Sequence, residues 1–309
     1  MLIHHHPGRS GGASGEIGAV WLDLIAPTVD EIRQVEQACA VTLPTREELG
    51  SLELSSRIDV SDGVLRLGVP YFSHSDSTAQ SPVGFLLLPR RVITIRYAVS
   101  PAFELAAARV SAAPSLTAAE ALLTIIEAIV ATNADRLEHV SAETGQLSLR
   151  IFGTARERGD TLRQALAELG HLEARLTRMR QSATGLQRLM LFLRDCHGHG
   201  MDRPLHQRAD AIGKDLEVLA EFDSQLTDKL QFLLDAVLGF INIEQNDVIK
   251  ILTIASVVSI PPMVLAGIWG MNFHNMPELQ WPYGYAIALG VITLSAVLPL
   301  AWLRRRGWV

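Results

Sequence analysis

Cysteine is nearly absent from this chain: Cys39 and Cys196 are the only two in 309 residues. That excludes a disulfide framework and fits a reduced compartment. Basic residues are not in excess either. Lys and Arg number 27 against 33 Asp and Glu, a net charge of −6, which argues against a nucleic-acid partner. No phosphate-cradling glycine loop, nucleophile elbow or His-Glu-x-x-His occurs, so the motifs point away from an enzyme. The first stretch, 1–16, is Gly/Ser-rich with His4-His5-His6 and lacks the apolar core of a signal peptide. It reads as a disordered leader, which leaves membrane insertion to segments elsewhere.

Charge is missing altogether from two long runs, Ile251 to Trp269 and Gly284 to Leu303. Each holds about 20 residues, the length an α-helix needs to cross roughly 30 Å of hydrocarbon. Helices buried in a soluble core are usually shorter and keep a polar edge, so the expectation is two transmembrane helices, over 251–271 and 284–303. Lys250 precedes the first and Arg304-Arg305-Arg306 follow the second, in the tail 304–309. The connecting loop, 272–283, has no Lys or Arg and one acid, Glu278. The positive-inside rule then puts both termini in the cytoplasm and the loop outside. A mean hydropathy of +0.21 is high for a fully soluble chain, and these runs supply much of it.

The loop reads Gly270-Met271-Asn272-Phe273-His274-Asn275-Met276-Pro277-Glu278-Leu279, directly after Trp269. A Gly-Met-Asn triplet at the outer end of the first of two C-terminal spans, followed by Met-Pro-Glu-Leu, resembles the signature of the CorA family of magnesium and cobalt transporters. The run from Leu233 to Asn246 and the mid-membrane Pro261-Pro262 are also similar to bacterial members. Trp269 stands where Tyr is more usual; both are aromatics suited to a membrane interface.

Upstream, Ile17 to Ile25 reads as a strand, and Thr28-Val29-Asp30-Glu31 has capping-box spacing that opens a helix toward Ala40. Thr45-Arg46-Glu47-Glu48 offers another start. Arg57 to Val69 alternates around Asp62-Gly63, a hairpin signal, and Pro82 to Val99 holds two further strands. Ser73 to Ser81 is a polar loop. The region 17–100 is therefore a mixed α/β domain with a mainly antiparallel or mixed sheet. Over 101–204 the strand signals stop. Thr117-Ala118-Ala119-Glu120 caps a helix whose pattern runs on, with a break near Gly153 and Gly159, to Leu193. Cys196, His197, His199 and His206 are candidate soft-metal ligands, but their spacing matches no ordinary zinc module, and Gly198, Gly200 and Pro204 already account for a loop.

From Leu205 a stalk helix, 205–250, shows Ile212, Leu216, Leu219, Leu226, Leu230, Leu233, Val237 and Phe240 at steps of three and four, with Asp223 interrupting the series. That heptad seam predicts packing along another helix, and a contact between subunits is one use for it. A second stripe, Glu221, Asp228, Asp235, Asn242, Ile249, Ser256, Met263 and Gly270, repeats every seven residues along nearly one face. Asn246, Thr253, Ile260 and Gly267 lie beside it. A charged stripe is ordinarily a solvated face; this one runs up to the Gly-Met-Asn triplet, which makes it a candidate pore lining.

The resemblance implies an α+β cytoplasmic domain, a long stalk helix and two C-terminal transmembrane helices, assembled as a homopentameric funnel in a bacterial-type inner or plasma membrane. It implies transport of Mg2+, with Co2+ and Ni2+, through a selectivity filter at Gly270, Met271 and Asn272. Asn272 is the metal-facing oxygen donor, acting on the hydrated ion, and Glu278 would gather cations by charge. Ile249, Leu252, Ile260 and Met263 would gate the path by dewetting. Closure by cytoplasmic Mg2+ is implied too, with Asp210, Asp215 and Glu221 as candidate sensors. The expected partners are the chain itself, membrane lipid and divalent cations; no organic cofactor is expected. A zinc transporter of the same superfamily and a non-conducting membrane-anchored scaffold or sensor are the competing readings.

Overall fold

A computed structural model describes residues 1–8, 19–50, 58–61, 64–71, 81–153, 158–195, 202–272 and 276–308. Within the described residues there are six strands: β1 (Leu2–His5), β2 (Trp21–Ile25), β3 (Ile58–Ser61), β4 (Val64–Val69), β5 (Val83–Leu87) and β6 (Val92–Arg96). The α-helices are α1 (Val29–Cys39), α2 (Arg46–Gly50), α3 (Pro101–Ala112), α4 (Ala118–Gly153), α5 (Arg158–Asp195), α6 (Arg203–Trp269) and α7 (Gly284–Arg305). The chain falls into two compact units. One comprises Met1–Ala155 with Gln164–Leu234, the other Asp235–Val309 with Arg156–Arg163.

The first unit is built on one mixed sheet in the order β1-β2-β6-β5-β4-β3, parallel only between β2 and β6. Alternation along the strands sorts side chains onto two covered faces. Trp21, Leu65, Leu67, Phe85 and Val92 join the core with residues of α3 to α6, while Leu22, Leu24, Leu86, Ile93 and Ile95 join Val35 of α1 and Leu49 of α2. α2 lies so close that a Cβ on Gly84 would come within 2.8 Å of Leu49 Cδ2, which is why β5 carries glycine there. Sheet and helices share one core, so 17–100 and most of 101–204 lie in one compact unit.

Helix starts follow local chemistry. Thr28 Oγ1 accepts from the Glu31 amide at 3.3 Å while Glu31 Oε2 accepts from the Thr28 amide at 2.9 Å. Thr45 with Glu48 and Thr117 with Glu120 repeat the arrangement. Ser100 caps α3, with Pro101 at its first turn, where no amide is needed. The Asp62-Gly63 turn lies outside the described residues, but Ser61 pairs with Val64 across it, closing the β3–β4 hairpin. Most of the 73–81 loop is likewise outside them.

The leader is corrected in part. Leu2–His5 is not disordered but forms an edge strand, paired antiparallel with β2 from Leu2↔Leu24 to His5↔Trp21. His5 stacks on Trp21 with ring centroids 4.1 Å apart, so a His-rich run that looks like a polar tail seats an aromatic ring against the core. Beside it, Asp23 is held by Arg96 through Nε and Nη2 at 3.1 and 2.8 Å and by the Thr94 hydroxyl at 2.7 Å, while Trp21 Nε1 donates to Thr94 at 2.8 Å. The guanidinium lies over the Phe103 ring. This buried charge is paired and hydrogen-bonded, the condition under which burying it is tolerable.

α4, α5 and the N-terminal part of α6 form the helical layer of the first unit. Ile212, Leu216, Leu226, Leu230 and Leu233 are buried within this single chain. The heptad seam over that stretch is therefore spent on the chain's own helices rather than left as a surface between subunits. Polar links run alongside it, from Arg208 to Glu127 at 2.6 Å and from Gln187 to the Leu216 carbonyl at 3.2 Å.

In the second unit α6 continues without interruption through Pro261 and Pro262 to Trp269. The helix has 67 residues, about 100 Å at 1.5 Å per residue. The helix starts at Arg203, and no break falls at 250 between the expected stalk and the first span. The single-turn 3-10 helix Pro277–Gln280 precedes α7, which also contains a proline, Pro299.

Candidate ion-conducting helix and loop

The span segments of α6 and α7 have mean hydropathies of 2.1 and 2.2 over their most apolar stretches, and almost none of that surface is buried. Ile251, Leu252 and Met263 are 66, 62 and 69 % exposed. A soluble protein does not leave contiguous apolar surface on this scale in water, so hydrocarbon or further copies must cover it. The hydroxyls on these helices are satisfied internally: Thr253 donates to the Ile249 carbonyl at 2.8 Å and Ser256 to the Leu252 carbonyl at 2.9 Å. Such back-bonding lets polar side chains sit in a lipid-spanning helix. Aromatics mark both ends, with Trp281, Tyr283 and Tyr285 before or in the first turn of α7 and Trp302 and Trp308 at its close.

Gly270, Met271 and Asn272 follow α6 without a gap. The Gly270 amide still bonds back to the Ala266 carbonyl at 2.9 Å, and the Met271 amide to the Ile268 carbonyl at 3.2 Å. A helix C-terminus leaves its last carbonyls without intrahelical donors and carries partial negative charge. The triplet thus begins where the backbone itself presents oxygen and negative potential. A Cβ on Gly270 would stand 3.1 Å from the Ala266 carbonyl oxygen, tighter than an ordinary contact. Gly270 also borders an apolar cavity of about 540 Å³ lined by Trp269, Trp281, Tyr285 and Ala288, among others. Phe273, His274 and Asn275 lie outside the described residues, as does the side chain of Glu278; its backbone belongs to the 3-10 turn.

Each member of the seven-residue stripe, Glu221, Asp228, Asp235, Asn242, Ile249, Ser256, Met263 and Gly270, is exposed on the single chain, as are Asn246, Leu252, Thr253, Ile260 and Gly267. The three candidate sensing acids are exposed but not gathered. Asp210 borders a groove of about 420 Å³ with Arg194, Lys214 and Glu217. Asp215 borders another of about 320 Å³ with Glu127 and Val218, and Glu221 lines neither. No cluster of three or more His, Cys, Asp or Glu suited to a metal occurs among the described residues. Of the four soft-metal candidates, Cys196, His197 and His199 lie outside the described residues, and His206 sets a ring nitrogen 2.9 Å from the Asp202 carbonyl.

One residue was misjudged from sequence. Asp223 does not interrupt the seam but occupies a seam position, 4 % exposed, with Arg180 Nε 2.5 Å from its carboxylate. The spacing carried the signal, since Leu219, Asp223 and Leu226 continue the steps of four and three.

Comparison with known proteins covers the whole length. Residues 16–305 match the family model described as CorA-like Mg2+ transporter protein. The magnesium transport proteins CorA of Escherichia coli K12 and of Salmonella typhimurium are each 34 % identical over 298 residues, covering 95 % of this chain and 93 % of theirs. Among solved structures, the complete CorA magnesium transporter of Methanocaldococcus jannaschii superposes with a TM-score of 0.78 at 16 % identity, covering 100 % of this chain and 99 % of that one. Full-length CmaX gives 0.71 at 16 % identity, covering 98 % and 95 %. The structural likeness fixes the fold, and the family model together with relatives matched almost end to end places this chain in the CorA-like Mg2+ transporter family.

Proposed function

We propose that the chain is one subunit of a homopentameric divalent-cation channel that carries Mg2+, and with it Co2+ and Ni2+, across a bacterial-type inner or plasma membrane. The observation that carries the reading is α6 itself, one helix from Arg203 to Trp269 whose exposed stripe, acidic and polar up to Asn242 and then mostly apolar or small, ends at Gly270-Met271-Asn272. A single chain with two spans cannot enclose a path; copies arranged about an axis can, and each residue of the stripe then recurs as a ring. Both termini stay in the cytoplasm, and the loop between the spans faces outward.

Magnesium holds its waters tightly and demands octahedral oxygen geometry, so stripping them would be slow. A ring of Gly270 carbonyls and Asn272 amide oxygens accepts hydrogen bonds from the hydrated ion without removing its shell. The C-terminal ends of the α6 helices add negative potential at that ring, and Glu278 enriches cations before it. Below the filter, Met263, Ile260, Leu252 and Ile249 close the path by excluding water. The membrane potential supplies about 2.3 kcal/mol per elementary charge per 100 mV, about twice that for a divalent ion. An inward pore therefore needs feedback. Mg2+ bound by Asp210, Asp215 or Glu221 against a neighbouring copy neutralises carboxylate repulsion and favours the closed arrangement.

The test is flux through purified protein in liposomes, with Mg2+ alone and with Co2+, Ni2+ or Zn2+ competing. Mg2+ flux is expected. A protein that assembles but conducts nothing refutes the channel, and zinc flux without magnesium flux replaces the ion.

A further inference from the structure

The seam that binds α6 into its own bundle carries one charge. Asp223 and its neighbour on the seam, Leu226, are equally buried at 4 % exposure. Asp223 Oδ2 accepts from Arg180 Nε of α5 at 2.5 Å, and the same guanidinium donates through Nη2 to Thr227 Oγ1 at 2.5 Å. The Thr227 hydroxyl donates in turn to the Asp223 carbonyl at 2.9 Å. One arginine thus grips two successive turns of α6. Asp223 Oδ1 is buried with no hydrogen-bond partner in the protein. Burial pushes the carboxyl up from its ordinary range, and Arg180 pulls it partly back.

Stability does not explain an acid at this position. Arg180 is half-exposed, so water screens the attraction, while the carboxylate is desolvated and one of its oxygens has no partner. Register does explain it. Leucines three and four apart interdigitate almost as well when one helix is displaced or turned against its neighbour, whereas Arg180 reaches both Asp223 and Thr227 in one arrangement only. A single polar residue on an apolar seam is the device that specifies register in coiled coils, at a cost in stability.

We propose that Arg180 and Asp223 are positioning residues that lock the register and axial rotation of α6 against α5, and so set the balance between open and closed pore. The proposal rests on the channel reading above. Because α6 runs from this clamp to the triplet as one helix, a change in its setting here is carried along the element that lines the path. Without the clamp, both settings are populated and cytoplasmic Mg2+ acts on a different starting equilibrium.

The experiment uses the full chain in liposomes. Arg180 is half-exposed and can turn to water when its partner is lost, and the change also removes a buried oxygen without a partner, so Asp223→Leu is expected to keep the thermal midpoint while shifting the Mg2+ concentration for half-inhibition at least threefold. Asp223→Asn, nearly isosteric, is the second variant should the first not fold. The exchange Arg180→Asp with Asp223→Arg is expected to return inhibition toward wild type. A second readout is independent of conduction. Spin labels on Gln181→Cys and Gln225→Cys, with Cys39 and Cys196 replaced by Ser, should give one narrow distance with Asp223 present and a broadened or second distance with Asp223→Leu. Unchanged distances refute the lock whatever the flux does. Altered distances in a protein that conducts no Mg2+ keep the lock and refute the channel. Altered distances with unchanged inhibition refute the coupling between lock and gate.

Discussion

Trp21, Phe85 and Leu216 are 0 % exposed, whereas Met263, Ile251 and Val264 keep 69, 66 and 53 % of their surface open. The two groups are comparable in apolarity; they differ in where the covering material comes from. In the first unit the chain covers itself, and buried polar side chains such as Asp23, Thr94 and Arg96 find their partners within it. In the second, one chain leaves its apolar surface open, and on the channel reading lipid and other copies cover it. Stability is thus written mainly in the first unit and conduction in the second, and substitutions should separate the two properties.

The widest separation is expected at the triplet. Asn272→Ala removes an oxygen from the proposed filter and touches no core residue, so Mg2+ flux should fall at least tenfold while the thermal midpoint and oligomer size stay unchanged. Wild-type flux from this variant would remove the filter assignment. The converse comes from Arg96→Met, which leaves Asp23 buried and unpaired. Breaking one side of such a pair costs about 3–5 kcal/mol. Denaturant unfolding should show that loss, with flux per folded oligomer preserved; a loss below about 1 kcal/mol would mean that the pair is not what holds β2 to β6.

A smaller effect is expected from the proposed sensing acids. Asp210→Asn, Asp215→Asn and Glu221→Gln, singly and combined, should shift the internal Mg2+ needed for inhibition by severalfold without altering maximal flux. Inhibition identical to wild type in all of them places the sensor elsewhere. The smallest concerns β1. His5 has its pKa lowered, chiefly by burial and against the opposing pull of Asp23. The folded state therefore favours the neutral ring, so the stability it contributes is complete above the ordinary histidine value and declines as pH falls through it. Amide exchange in Leu2–His5, corrected for intrinsic rate, should accelerate between pH 7 and 5, and His5→Gln should flatten that dependence.

Legibility in the sequence followed the range of the interaction. Helix starts at Thr28, Thr45 and Thr117 were readable because donor and acceptor lie three residues apart. The spans were readable because charge is absent over a continuous length. The Asp23–Arg96 pair was not, since its members are 73 residues apart and meet only through the parallel β2–β6 register. β1 escaped notice because four residues are too few to display a period. For the candidate site, the triplet and the stripe were visible as motif and spacing. Which acids approach a neighbouring copy depends on geometry between chains, which no periodicity within one chain encodes.

The place of β6 in the sheet also bears on how the protein is made. β2 has β1 on one side and β6 on the other, and β6 leaves the ribosome some seventy residues later, as the 71-residue separation of Asp23 and Thr94 measures. At roughly 5–20 residues per second, β2 waits for several seconds as an open edge. The α6 residues that complete the first unit's core, Leu205 to Leu216, emerge later still, shortly before the first apolar run. On the channel reading, folding of the first unit and insertion of the spans therefore fall within one short interval of synthesis. Slowing translation just after β6 should raise the yield of inserted protein, and slowing it between β2 and β6 should lower it.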